Sequence, residues 1–217
     1  MRERWLFLLS VTVIGVIVFV FFILRLRPVQ IPTLTDGTTA GSLTTPSVTF
    51  INPARGAEQP KITLVVFSDF ECPACKQLET SLSAVLRARP DSVRVVWKDM
   101  PNESAHTEAT PAAVAAHCAA QQGKFWEYHD ELFARQTFLD ASQYPSIADA
   151  IGLNKDRFTA CNEALDTLPI VKKDFDEGRA LGITATPTTY IGSTPYVGAL
   201  SAEELLSHID QELNKAP

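Results

Sequence analysis

Cys72 and Cys75, in the run Cys72-Pro73-Ala74-Cys75, are the residues of this chain best suited to chemistry. Two thiols at this spacing can close a short disulfide, exchange it with another thiol, or share a soft metal ion. Their setting separates these uses. Ile62 to Asp69 is a β-branched run suited to a buried strand, and Lys76 to Arg89 places Leu78, Leu82, Val85 and Leu86 on one helical face. A strand therefore delivers the pair to the first turn of a helix. Orphan N–H groups and the positive end of the macrodipole favour an anion there. Cys72 is expected to ionise below the range of a free thiol and to be the reactive sulfur. Cys75, one turn further in, can attack a mixed disulfide formed at Cys72. Pro73 lacks an N–H, and its fixed φ suits the first helical turn.

A structural zinc site would need a second ligand pair. The other cysteines, Cys118 and Cys161, stand 43 residues apart, and the histidines at 106, 117, 129 and 208 supply no matching pair. The reading is therefore a redox dithiol with no bound metal and no cofactor, and none of the four histidines is assigned chemistry.

The elements that must hold this pair can be traced along the chain. Trp5 to Leu24 is a run of twenty residues without a charge, long enough to span the roughly 30 Å hydrocarbon layer of a bilayer. Arg25-Leu26-Arg27-Pro28 follows, where a cleavable signal would need small residues, so residues 1–27 are expected to be an uncleaved membrane anchor. Arg2 and Arg4 before the run balance Arg25 and Arg27 after it, which leaves orientation undecided by charge. Residues 28–47, rich in Pro, Thr, Gly and Ser, read as a flexible tether. Residues 48–217 read as one α/β domain. Strands are expected at Val48–Asn52, Ile62–Asp69 and Val93–Lys98, and helices over 76–89, 104–122, 125–136, 143–151, 155–165 and 168–181. Ser104 and Thr107 are candidate caps of the second of these helices, and Gly152 and Gly182 are candidate stops. A hairpin is expected from Thr188–Ile191 to Tyr196–Val197, then a last helix capped by Ser201 with Glu203 and Glu204 in its first turn.

A βαβ start, a helical block over about 104–181 and a ββα finish is the pattern of a thioredoxin fold with a helical insertion. Val65-Val66-Phe67-Ser68-Asp69-Phe70-Glu71-Cys72-Pro73-Ala74-Cys75 resembles the active-site segment of the DsbA-like thioredoxin-fold thiol:disulfide oxidoreductases. The stretch 122–133 resembles that family's insertion, and Gly182-Ile183-Thr184-Ala185-Thr186-Pro187-Thr188 resembles its cis-proline loop. The resemblance implies that Pro187 faces the dithiol in the cis form, and that Thr186 offers backbone groups to an extended substrate segment. It also bears on Cys118 and Cys161. Each could pack as a free buried thiol, while spare thiols in an oxidising compartment pair. Some DsbA-like proteins carry an extra disulfide in the insertion, which favours a structural Cys118–Cys161 bond. The chain departs from the family at Val66, where many members place a buried Asp or Glu that serves the second cysteine. Glu71, Asp69 and Lys98 stand nearby in sequence but read as solvated surface charges, so the proton acceptor for Cys75 is left open.

Outside residues 1–27 the chain carries 15 basic and 24 acidic residues, which argues against nucleic-acid binding. The expected function is an extracytoplasmic thiol:disulfide oxidoreductase on the outer face of the cell membrane. It would introduce disulfides into reduced, unfolded exported proteins. The resemblance implies a quinone-linked membrane partner that reoxidises it. Two alternatives stand beside this reading: a disulfide reductase or isomerase of the same fold, and a Cu(I)-binding thiol chaperone. Only two methionines and no His-rich segment weigh against the second.

Overall fold

The uncharged run at the start of the chain lies within a continuous helix, α1 (Arg2–Arg25). The computed structural model describes residues 2–25, Leu34 and 41–215. Most of the predicted tether and the end of the predicted anchor therefore lie outside the described residues. Counted over described residues alone, no helix is long and apolar enough to cross a membrane. The helix belongs to a unit, Met1–Pro32, separate from the unit Thr33–Pro217 that holds everything below.

Val48–Asn52, expected as the first strand, is not one. The Asn52 side chain accepts the Thr49 N–H at 3.0 Å and folds this stretch into a turn. The first strand, β1, is the short segment Ala54–Gly56 beyond Pro53. Next come β2 (Ile62–Ser68), α2 (Pro73–Ala88) and β3 (Val93–Asp99). These two longer strands pair in parallel, with Val66 opposite Trp97 and Ser68 opposite Asp99. Both are buried on their two faces, which explains why their sequences read as unbroken apolar runs rather than alternating ones.

The helical block comprises α3 (Ala109–Ala120), α4 (Phe125–Ala134), a 3-10 turn at Gln136–Phe138, α5 (Gln143–Ala150), α6 (Lys155–Ala164) and α7 (Leu168–Ala180). Of these, α3 starts later than expected. Residues 103–105 form turns, and neither Ser104 nor Thr107 caps it, because Glu108 occupies the cap position. Gly152 and Gly182 follow α5 and α7 with positive φ, as helix stops do. The chain closes with β4 (Thr188–Ile191), β5 (Thr194–Val197) and α8 (Ala202–Leu213), the last opened by a capping box between Ser201 and Glu204.

The sheet order is β1-β3-β2-β4-β5. On one face Leu64, Val66, Val93 and Val95 bury against Leu78, Leu82 and Val85 of α2 and Leu205 and Ile209 of α8. On the other, Val65, Phe67 and Val96 meet Met100, Ile183 and Tyr190 and pack against Phe175 of α7. Gly178 lets α7 approach this closely, since a Cβ there would lie 2.6 Å from the Met100 sulfur. A third cluster joins the helical block to the dithiol, bringing Phe70, Cys72, Cys75 and Trp97 together with Tyr128, Leu132 and Phe133. This is a thioredoxin-like α/β fold with a helical insertion. The dithiol stands beyond the C-terminal ends of the parallel strands, where open α/β sheets place their sites.

Candidate active site

The cap residue of α2 is Cys72 itself. Its backbone is extended (φ −73°, ψ 119°), and Pro73 begins the helix. The Cys72 N–H donates to the Asp69 carbonyl at 3.2 Å, and its carbonyl accepts the Cys75 N–H at 3.0 Å. From the 3-10 turn, Gln136 Nε2 donates to the carbonyls of Phe70 at 2.8 Å and Cys72 at 3.0 Å, clamping the loop that carries the dithiol. Both thiols are free and buried, Cys72 at 7% exposure and Cys75 at 0%.

The Thr186–Pro187 peptide bond is cis, and the Cys72 thiol donates to the Thr186 carbonyl at 3.5 Å. The two segments that the sequence reading singled out, 114 residues apart, thus meet at one sulfur.

The electrostatics divide labour between the two thiols. Cys72 is drawn down from 9.0 to about 6, chiefly because the Cys75 thiol donates a hydrogen bond to its anion. Burial opposes the shift, while the Cys75 N–H, the Thr186 side chain and the Ala74 N–H support it. Helix-start amides therefore contribute, as the sequence suggested, but the neighbouring thiol contributes more. Cys75 moves the other way: burial pushes its thiol far up, and the Cys72 anion adds to that. At neutral pH one sulfur is an anion and the other holds its proton. This is the arrangement a dithiol needs to present one nucleophile or leaving group and keep its partner in reserve.

Asp69 and Lys98 are not solvated surface charges. Asp69, only 2% exposed, accepts the Glu71 N–H at 2.8 Å and the Asn102 N–H at 2.9 Å, and binds His106 Nδ1 at 2.8 Å. Burial is the largest single effect and works against charge on His106, but the Asp69 hydrogen bond and the charges of Asp69, Cys72 and Glu71 together outweigh it and raise its pKa. His106, assigned no chemistry from sequence, therefore feels the Cys72 anion. Lys98 is wholly buried on the opposite face, with Nζ 2.9 Å from Asp174 and 2.8 Å from Glu177. The family's acidic position, Val66, lies in the apolar cluster under α2 and carries no proton acceptor. Glu71 is half-buried, and one of its oxygens accepts the Glu108 N–H.

Among the described residues one cluster has metal-ligand character, the buried group Asp99, His117 and Asp174. Its atoms are already engaged: Asp99 takes the Trp97 Nε1–H at 2.8 Å and His117 Nε2 at 2.6 Å, and Asp174 pairs with Lys98. In the insertion Cys118 and Cys161 are joined by a disulfide that ties α3 to α6.

A family model described as thioredoxin matches residues 51–211. The chain is 34% identical over 151 residues to a Na(+)/H(+) antiporter NhaA 3 of Salinispora tropica, covering 70% of this chain and 23% of that protein. It thus spans about a quarter of the curated relatives it matches. Among solved structures, the catalytic domain of Proteus mirabilis ScsC is 26% identical with a TM-score of 0.65, covering 76% of this chain and 90% of that one. The thiol-disulfide exchange protein alpha-DsbA2 of Wolbachia pipientis is 20% identical with a TM-score of 0.67, covering 75% and 88%. The chain belongs to the thioredoxin family, and its fold with a helical insertion is like that of these solved structures.

Proposed function

We propose that this protein is a membrane-anchored, extracytoplasmic oxidase of thiols in exported proteins. The observation that carries the reading is Cys72, held near pH 6 beside a buried, protonated Cys75 and against the Thr186 carbonyl. In the oxidised enzyme a substrate thiolate attacks the Cys72 sulfur, the Cys72–Cys75 bond breaks, and its electron pair goes to Cys75. A second substrate thiolate then attacks the substrate sulfur of the mixed disulfide and expels Cys72 as an anion. The substrate leaves with a disulfide, and the enzyme holds both thiols reduced. A stable Cys72 anion is a good leaving group, which favours passing the disulfide onward. Thr186 would pair its backbone with an extended substrate segment, a contact largely indifferent to side chains.

The Cys118–Cys161 bond supports an oxidising compartment, and the anchor is proposed from the uncharged run Trp5 to Leu24 in the sequence. A quinone-linked membrane protein would return the dithiol to its oxidised form. Antiport by the much longer curated relatives is not carried over. The test is oxidation of a reduced, unfolded protein by the full chain in vesicles. Catalysis should occur and vanish in Cys72→Ser; an equally active variant would end the proposal. Alkaline extraction of the membranes checks the anchor, since release of the chain into the supernatant would exclude it.

A further inference from the structure

We infer that Ser68 is the hydrogen-bond donor that receives negative charge on Cys75 during disulfide exchange, in place of the acid missing at position 66. Ser68 ends β2, two residues beyond Val66, so it faces the same side of the sheet, toward α2. Cys75 stands on the first turn of that helix with 0% exposure. Ser68 is 2% exposed, and its Oγ has no hydrogen-bond partner. Buried hydroxyls are almost always paired, so an idle one beside a reactive sulfur calls for a use.

The neighbouring polar groups do not compete for this role. Asp99, opposite Ser68 on β3, is committed to Trp97 and His117. Asp69 is committed to two backbone amides and His106. Ser68 alone among these has a donor to spare, and its side chain favours the Cys75 anion.

A contact too poor to count as a hydrogen bond in the resting thiol, which strengthens as the sulfur gains charge, acts on the transition state more than on the ground state. It serves exchange in either direction, because Cys75 carries the charge both times. When a substrate thiolate opens the Cys72–Cys75 bond, Cys75 departs with the electron pair. When Cys75 resolves a mixed disulfide, it first gives its proton to water and then attacks Cys72, forming the Cys72–Cys75 bond and expelling the substrate thiolate.

The inference rests on the dithiol reading above, and the experiment separates the two. The full chain, reduced, is converted to a mixed disulfide at Cys72 with a small aromatic disulfide. Release of the coloured thiol by Cys75 is then followed in single turnover across pH. Ser68→Ala should resolve about tenfold or more slowly, with its rate profile moved to higher pH, and Ser68→Thr should recover most of the rate. Alkylation of Cys72 should match wild type in both variants, and so should their melting temperatures. A Ser68→Ala protein that resolves at the wild-type rate with the wild-type profile would overturn the role of Ser68 alone. A wild-type chain that forms no mixed disulfide would overturn both readings.

Discussion

Replacing Cys75 with alanine should return Cys72 toward an ordinary thiol. The structure lowers Cys72 from 9.0 to about 6, and the first cause is the bond donated by Cys75. Each unit corresponds to about 1.4 kcal/mol, so the full shift is at most about 4 kcal/mol, less whatever solvent at the mouth of the site screens. The sign follows from which form gains. A lowered thiol pKa stabilises the reduced enzyme wherever the anion is populated, that is, above about pH 6. At pH 7 the anion outnumbers the thiol roughly tenfold, stabilising the reduced state by about 1.4 kcal/mol, equivalent to about 30 mV toward a stronger oxidant. In Cys75→Ala the titration midpoint of Cys72, read from thiolate absorbance and from alkylation rate against pH, should rise by at least one unit. Alkylation near pH 6 should then slow about fivefold for a one-unit rise, and more for a larger one. Cys75→Ser keeps a donor and should shift less. A midpoint that stays near 6 in Cys75→Ala would refute the reasoning and move the cause to the helix start or His106.

Three further outcomes are expected. Replacing both Cys118 and Cys161 with alanine opens a loop of 43 residues and should cost about 4 kcal/mol in denaturant unfolding on the chain-entropy account; an unchanged midpoint would show that the bond is idle. Lys98→Met leaves Asp174 and Glu177 buried without their cation and should cost about 3–5 kcal/mol. Because burial raises Asp174 to about 6, part of that loss should be regained below that pH, and a loss independent of pH would contradict the pairing. Gln136→Ala frees the Phe70 and Cys72 carbonyls and should cost about 1 kcal/mol, with faster amide exchange over residues 72–76; unaltered protection there would remove Gln136 from the account.

The features legible in the sequence were those written in adjacent residues. Cys72-Pro73-Ala74-Cys75 declares itself because a dithiol and its helix start occupy four positions. Gly152 and Gly182 end helices through backbone conformation, and the Ser201–Glu204 box needs one turn of chain. The Val48–Asn52 strand failed for the complementary reason: its β-branched pattern is overridden by one side chain, Asn52, bonding back to Thr49. The site's polar surroundings were not legible. Asp69, His106, Ser68 and Gln136 acquire roles only when the loop after β3 and the turn after α4 close over the end of β2. Lys98 reads as a surface charge in an apolar strand until α7, 76 residues away, brings Asp174 to it. Even the cause of the Cys72 shift is tertiary in part, since Cys75 can donate well only because burial holds its proton.

Equilibration of the full chain with glutathione buffers of graded poise tests the central claim most directly. The account predicts one two-electron transition assigned to Cys72 and Cys75, absent in Cys72→Ser, with a potential well above the roughly −270 mV of thioredoxin. A transition at or below that value would contradict the oxidase, and two cysteines that stay free across the whole range would contradict the dithiol centre itself.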